Sequence, residues 1–117
     1  MFAHESTPAY QHALEFAKWC EPVLDRTPRQ SAMHARFDCA RTTILLKVAV
    51  GAARVPRDDK NLEAAQTAAV ECAACFDLLF NKRVVSRDEW QRGKESLQKL
   101  IALLGSNDAP DAQARAA

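Results

Sequence analysis

Cys72-Ala-Ala-Cys75 has the spacing of a thiol redox pair, and it is the first place in this chain to look for chemistry. Such a pair works at a helix N-terminus, where the dipole lowers one thiol pKa. Here it lies between alanines in the middle of a helical pattern, which favours small core residues over a redox site. A zinc site would need two more ligands, and Cys20 and Cys39 stand at no spacing that zinc sites use. His4, His12 and His34 are scattered, with no His-x-x-x-His or Glu-x-x-His pair to build a di-metal bundle site. Asp58-Asp59 and Asp88-Glu89 read as helix caps, and no Gly-rich phosphate loop is present. No order of Ser, His and acid residues suggests a nucleophile with its base. The expectation is a protein without catalytic residues, metal or cofactor.

Charge is the stronger signal. From Arg26 to Arg57 there are seven basic residues (Arg26, Arg29, Arg36, Arg41, Lys47, Arg54 and Arg57) and one acid, Asp38, in a chain whose net charge is only +1. On a helix turning 100° per residue, Arg29, Arg36, Lys47 and Arg54 fall within about 20° of one another. A cationic stripe of this kind can track phosphates, with Arg giving bidentate contacts. The plainer reading is a solvated helix face, but such faces usually alternate in sign. Arg29, Arg36, Lys47 and Arg54 are therefore the candidate nucleic-acid-binding residues. Arg41 falls on the edge of the apolar stripe instead, where Glu71 or Asp77 of the following helix could pair with it. Trp19, Trp90 and Tyr10 are better explained as core aromatics than as base-stacking platforms.

The elements that carry these residues are helical throughout. Thr7-Pro8 starts a first helix spanning 8–26, with Tyr10, Ala13/Leu14, Ala17, Cys20 and Leu24 at helical spacing and Pro22 loosening its last turn. A second helix spans 28–55, with Thr27 as cap, Pro28 in the first turn and Gln30 in a capping-box position. Its apolar stripe is Phe37, Ile44, Val48 and Val55. Pro56 breaks the pattern, and Asp58 or Asp59 caps a third helix over 59–80, alanine-rich along its buried face. Asn81-Lys82-Arg83 ends it, with Asn81 suited to the left-handed conformation. Ser86-Arg87-Asp88-Glu89 is a capping box for a fourth helix over 87–104, closed by Gly105 in the C′ position. Residues 1–6 read as frayed and 107–117 as a disordered tail.

These features define one domain over 1–106 and an all-α fold, an up-down-up-down four-helix bundle. With 48% apolar and 26% charged residues the composition is that of a globular domain. No apolar run approaches the ~20 residues needed to span a bilayer. The N-terminus lacks the order of a secretory signal, so the expected site is the cytoplasm, where the four cysteines would be small buried thiols.

Thr43-Ile44-Leu45-Leu46-Lys47-Val48-Ala49-Val50-Gly51 resembles the Ser-Ile-Pro-x-Asn-Ile-Ala-Glu-Gly signature of the four-helix-bundle proteins encoded in 23S ribosomal RNA intervening sequences. Trp19-x-x-Pro22, Thr27-Pro28-Arg29 and Leu103-Leu104-Gly105-Ser106 look like the related accessory variability determinant (Avd) proteins of diversity-generating retroelements. Leu45, Lys47 and Val50 depart from the signature's Pro, Asn and Glu. The resemblance implies a non-enzymatic bundle assembled as a homopentamer. On the Avd side it also implies binding to RNA, or to an RNA/DNA hybrid, and to a reverse transcriptase. The alternative is a bundle of the intervening-sequence type acting only as a protein-interaction or scaffold oligomer, with the basic stripe meeting acids such as Glu63 or Glu95 of another subunit.

Overall fold

In the computed structural model, which describes residues 2–53 and 59–105, every regular element is a helix. A 3-10 turn, Ala3–Ser6, precedes α1 (Pro8–Trp19) and the short α2 (Glu21–Arg26). Then come three long helices: α3 (Ala32–Ala53), α4 (Asp59–Asn81) and α5 (Arg87–Gly105). Among the described residues α1 packs on α3 and α5, α3 on α4, and α4 on α5, so four helices close around one core. The all-helical, four-helix expectation holds.

The helix ends show where side-chain chemistry decides. Thr7 Oγ1 accepts from the Tyr10 N–H at 3.3 Å and Pro8 opens α1, as expected. The turn before it is more ordered than fraying would allow. The Thr7 hydroxyl donates to the His4 carbonyl at 2.8 Å, Gln11 Nε2 donates to the Glu5 carbonyl at 3.2 Å, and the turn packs against α3. The single helix expected over 8–26 is two helices, parted at Cys20. Pro22 has no N–H to return to the Lys18 carbonyl, and in a continuous helix its ring would clash with that carbonyl.

The start of α3 also differs from the expected 28. Thr27 is extended and buried, and its hydroxyl donates backwards to the Val23 carbonyl at 2.8 Å, serving the end of α2. Ser31 is the cap of α3: its Oγ accepts from the His34 N–H at 3.1 Å while donating to the Pro28 carbonyl at 2.6 Å. Pro28, Arg29 and Gln30 therefore lie in the connection and not in the helix. The other end of that helix, with Val55 and the Pro56 break, and the Asp58 cap lie outside the described residues, as does the tail.

α4 ends in a Schellman motif. The Val84 N–H reaches the Leu79 carbonyl at 2.9 Å and the Arg83 N–H reaches the Phe80 carbonyl at 3.0 Å. The left-handed residue is Arg83, at φ 61°, and not Asn81, which is the last residue of the helix. α5 opens with the full capping box: Ser86 Oγ accepts from the Glu89 N–H at 3.1 Å, and Glu89 Oε1 accepts from the Ser86 N–H at 2.9 Å. Gly105 closes α5 within the helix, without a positive φ.

Periodicity placed the core correctly. Phe37, Ile44 and Val48 of α3 are fully buried, as are Ala65, Ala69, Cys72, Phe76 and Leu79 of α4. Phe76 is the hub. Phe37 meets it edge-on at 5.2 Å between ring centroids, Trp19 stacks at 5.9 Å and Phe16 lies tilted at 6.3 Å. Each such pair adds about 0.5–1.5 kcal/mol beyond the burial itself.

Candidate nucleic-acid interface

The five described basic residues from Arg26 to Lys47 divide into two groups with different work; Arg54 and Arg57 lie outside the described residues. Arg26 and Arg41 hold the fold together. Arg26 Nη2 donates to Glu89 Oε2 at 2.6 Å, tying the end of α2 to the cap of α5. Glu89 thus serves the capping box with one oxygen and the ion pair with the other. Burial pushes its carboxyl up, but the hydrogen bonds from Arg26 and Ser86 outweigh this and hold it below the usual range.

Arg41 pairs with α1 and α2, not with Glu71 or Asp77 of α4. Asp38 Oδ1 accepts from its Nε at 3.1 Å and its Nη2 at 2.9 Å, and Glu21 takes an ion pair from Nη1. The same Nη1 donates to the Ala17 carbonyl at 2.8 Å. That carbonyl lies in the last turn of α1, beside the break at Cys20, where a cation also meets the negative end of the helix dipole. Arg41 is thus a C-terminal cap delivered from another helix. Desolvation disfavours its charge, and the hydrogen bonds it donates to Asp38 and Glu21 more than restore it.

Arg29, Arg36 and Lys47 form the second group. All three are exposed, and none makes an ion pair among the described residues. Arg36 and Lys47 stand three helical turns apart on one side of α3, about 16 Å along the axis. Arg29 is in the turn ahead of α3, so its helical alignment with the other two does not hold, although it remains at the same end as Arg36. Arg54 lies outside the described residues. The stripe of four is therefore two aligned cations and one beyond the helix start.

The other chemical candidates resolve differently. Cys20, Cys72 and Cys75 are buried; Cys39 is exposed, contrary to the expectation that all four thiols are buried, with its Sγ 4.0 Å from Thr43 Oγ1. Burial raises the Cys20 thiol to about 12 and pushes the Cys72 and Cys75 thiols up as well, the reverse of what a redox pair needs. No group of three or more His, Cys, Asp or Glu residues is placed to hold a metal among the described residues. His12 spans the α1–α5 seam, its Nε2 2.8 Å from the Ser96 carbonyl. A carbonyl only accepts, so Nε2 carries the proton.

Two features went unread in the sequence. The first is a cluster across α4 and α5. Trp90 stacks on Phe80 at 4.8 Å, and Asp77 Oδ1 accepts from both Trp90 Nε1 at 2.8 Å and Lys94 Nζ at 2.7 Å. Those two hydrogen bonds, Lys94 first, keep the Asp77 carboxyl below its ordinary range. The second is apolar surface: Leu46 and Val50 on α3, and Val70 and Leu78 on α4, are exposed. The signal was available for α3, where apolar residues fall on both sides of the helix.

No protein family, no curated protein and no solved structure matches this chain. Among the described residues no helix is long and apolar enough to cross a membrane.

Proposed function

We propose that this chain is a non-enzymatic, oligomeric accessory protein that binds nucleic acid, of the kind its resemblance to the Avd proteins implies. Its partners on this reading are other copies of itself in a pentamer, RNA or an RNA/DNA hybrid, and a reverse transcriptase, all in the cytoplasm. The observation that carries the reading is the division of the cations. Arg26 and Arg41 are held by acids, while Arg29, Arg36 and Lys47 are exposed with no ion pair among the described residues. Unpaired surface cations are what phosphate contact requires.

An up-down-up-down topology belongs to the same proposal. Residues 82–86 join α4 to α5, and 54–58 join α3 to α4. Five residues reach at most about 18 Å, whereas the 23 residues of α4 run roughly 35 Å. Links that short suit antiparallel neighbours.

The test is RNA retention across a salt series. Phosphate contact gives a log–log slope of about −0.7 to −0.9 per contact. Changing Arg29, Arg36, Lys47 and Arg54 to Gln should flatten that slope and abolish retention at low salt. Unchanged retention by a variant with intact helical content overturns the reading. The second reading, a scaffold oligomer that binds only protein, is favoured by the exposed Leu46 and Val50 beside Lys47; it predicts no RNA retention at any salt. An adjacent reverse-transcriptase gene with a template repeat would support the Avd branch.

A further inference from the structure

We infer that the outer face of α3 around Leu46, Lys47 and Val50 docks on the outer face of α4 around Val70, Glu71 and Leu78 of a second copy of this chain. The inference rests on the oligomeric part of the function proposed above and names the two surfaces that make it.

Both faces are apolar where a solvated helix should be polar. Leu46 is 58% exposed and Val50 45%; Val70 is 61% and Leu78 48%. Leu46 and Val50 are one turn apart and lie about 180° and 140° around α3 from the buried Phe37. Val70, Ala74 and Leu78 are successive one-turn neighbours on α4, and Val70 and Leu78 lie about 120° and 160° from the buried Phe76. All five are on the far side of their helices from the core. Scattered single apolar residues are ordinary on a surface, but a stripe at one-turn spacing on each of two helices is not.

Charge then says which face meets which. Within α3 there are three bases, Arg36, Arg41 and Lys47, against one acid, Asp38. From Asn61 to Asn81, α4 carries three acids, Glu63, Glu71 and Asp77, and no base. Asp38 and Arg41 neutralise each other, and Asp77 is held by Lys94. That leaves exposed Lys47 beside the apolar pair of α3 and exposed Glu71 beside Val70 on α4, with Arg36 and Glu63 exposed farther along their helices. Two α3 faces would place cations opposite cations, and two α4 faces would place acids opposite acids. An α3 face on an α4 face joins opposite signs around an apolar centre. Because the two surfaces differ, the contact is head-to-tail, and a closed ring follows if the rotation it imposes closes. Lys47 borders the apolar pair and meets acids there in the assembled protein, which leaves Arg29, ahead of α3, and Arg36, near its start, to carry the phosphate contacts.

A mixing experiment reads this arrangement directly. One variant carries Leu46→Glu and Val50→Glu, the other Val70→Glu and Leu78→Glu. All four substitutions are on the surface, and both altered faces are acidic, so they repel each other. Mass is measured by light scattering after confirming helical content by circular dichroism. The wild type should be an oligomer, and each variant alone should fall to the 13.0 kDa chain. An equimolar mixture should give a pair and stop there, since it holds one intact α3 face and one intact α4 face. An α4-face variant that still assembles overturns the pairing but leaves oligomerisation standing. A wild type that is a strict monomer at micromolar concentration overturns both. RNA retention by the two monomeric variants, measured in parallel, reports on the phosphate surface independently.

Discussion

Gly93 of α5 lies close against the ring of Phe76. A Cβ at Gly93 would sit 2.7 Å from Cζ, 2.8 Å from Cε1 and 3.0 Å from Cδ1 of that ring. Real Cβ contacts are essentially never that short, and the ring cannot retreat, because Phe16, Trp19 and Phe37 surround it. The missing side chain at Gly93 is what lets α5 approach α4 closely.

Gly93→Ala should therefore destabilise the bundle. The overpacking cost is about 1–3 kcal/mol, set against a gain of up to ~1 kcal/mol in helix propensity. A net loss of roughly 1–2 kcal/mol is expected as a lower urea midpoint with unchanged m-value. In a Phe76→Leu background, itself destabilised by loss of the ring, the further penalty of Gly93→Ala should shrink, since the clashing ring is gone. A Gly93→Ala protein more stable than the wild type would show that the contact relaxes freely.

Arg83 predicts the opposite sign. It holds a left-handed backbone, φ 61°, to complete the Schellman turn, and its exposed side chain makes no ion pair among the described residues. Glycine takes that conformation without steric cost. Arg83→Gly should raise stability by about 0.5–1 kcal/mol, read as a higher midpoint of thermal unfolding, whereas Arg83→Val should lower it.

Where the sequence could be read and where it could not follows from these cases. The apolar rhythm identified Phe37, Ile44 and Val48 as core because burial on a helix repeats every 3.6 residues whatever the neighbours are. Ser86 and Glu89 were legible because both partners of the capping box are local. Thr27 was misread because a hydroxyl can serve the helix before it or the one after, and only the path of the chain decides; Ser31, four residues later, does the capping. Arg41 was misassigned for a similar reason. Its partners Glu21 and Ala17 are distant in sequence and are brought near by the packing of α1 on α3. The aligned four-cation stripe failed at Arg29 once the helix began at Ala32.

Arg41 should prove to be the most costly surface-edge cation to remove. Its side chain is 18% exposed and serves Asp38, Glu21 and the Ala17 carbonyl together. Arg41→Met keeps much of the stem and should cost about 1–3 kcal/mol, the range for leaving charge-assisted partners unpaired. Arg41→Lys should recover only part, because a point charge cannot reach all three acceptors as a planar fork does. Equal stability of the Met and Lys variants would show that the stem and not the charge matters.

Acid should loosen the α2–α5 corner. The Glu89 carboxyl is held below its ordinary 4.5 in the folded protein, so the folded state binds fewer protons than the unfolded one in this range. Its contribution is complete above the unfolded value and is lost as pH falls through the lower folded value. Wild-type stability should therefore decline as the solution is acidified below about 4.5. Glu89→Gln keeps a capping-box amide but cannot titrate, and its stability should fall less steeply over that window. Parallel curves for the two proteins would assign the acid sensitivity to other carboxylates, Asp77 first among them.

The thiols give the sharpest contrast between the chemistry that Cys72-Ala-Ala-Cys75 suggested and the chemistry the fold allows. The thiolate is the reactive form. Cys20 and Cys72 are fully buried, with Cys20 raised to about 12 and Cys72 pushed up further by burial. Cys75 is buried and raised in the same direction, while Cys39 alone is exposed, on the outer side of α3. At neutral pH a soluble disulfide reagent should modify one thiol per native chain promptly, and Cys39→Ser should abolish that phase. Cys75, buried but nearest the surface of the three, should follow slowly. Cys20 and Cys72 should react only as the bundle opens, so their rate should rise with urea in step with unfolding. Rapid reaction of Cys72 or Cys75 in the native protein, unaffected by Cys39→Ser, would mean that the middle of α4 is exposed in solution and would restore the redox reading that burial argues against.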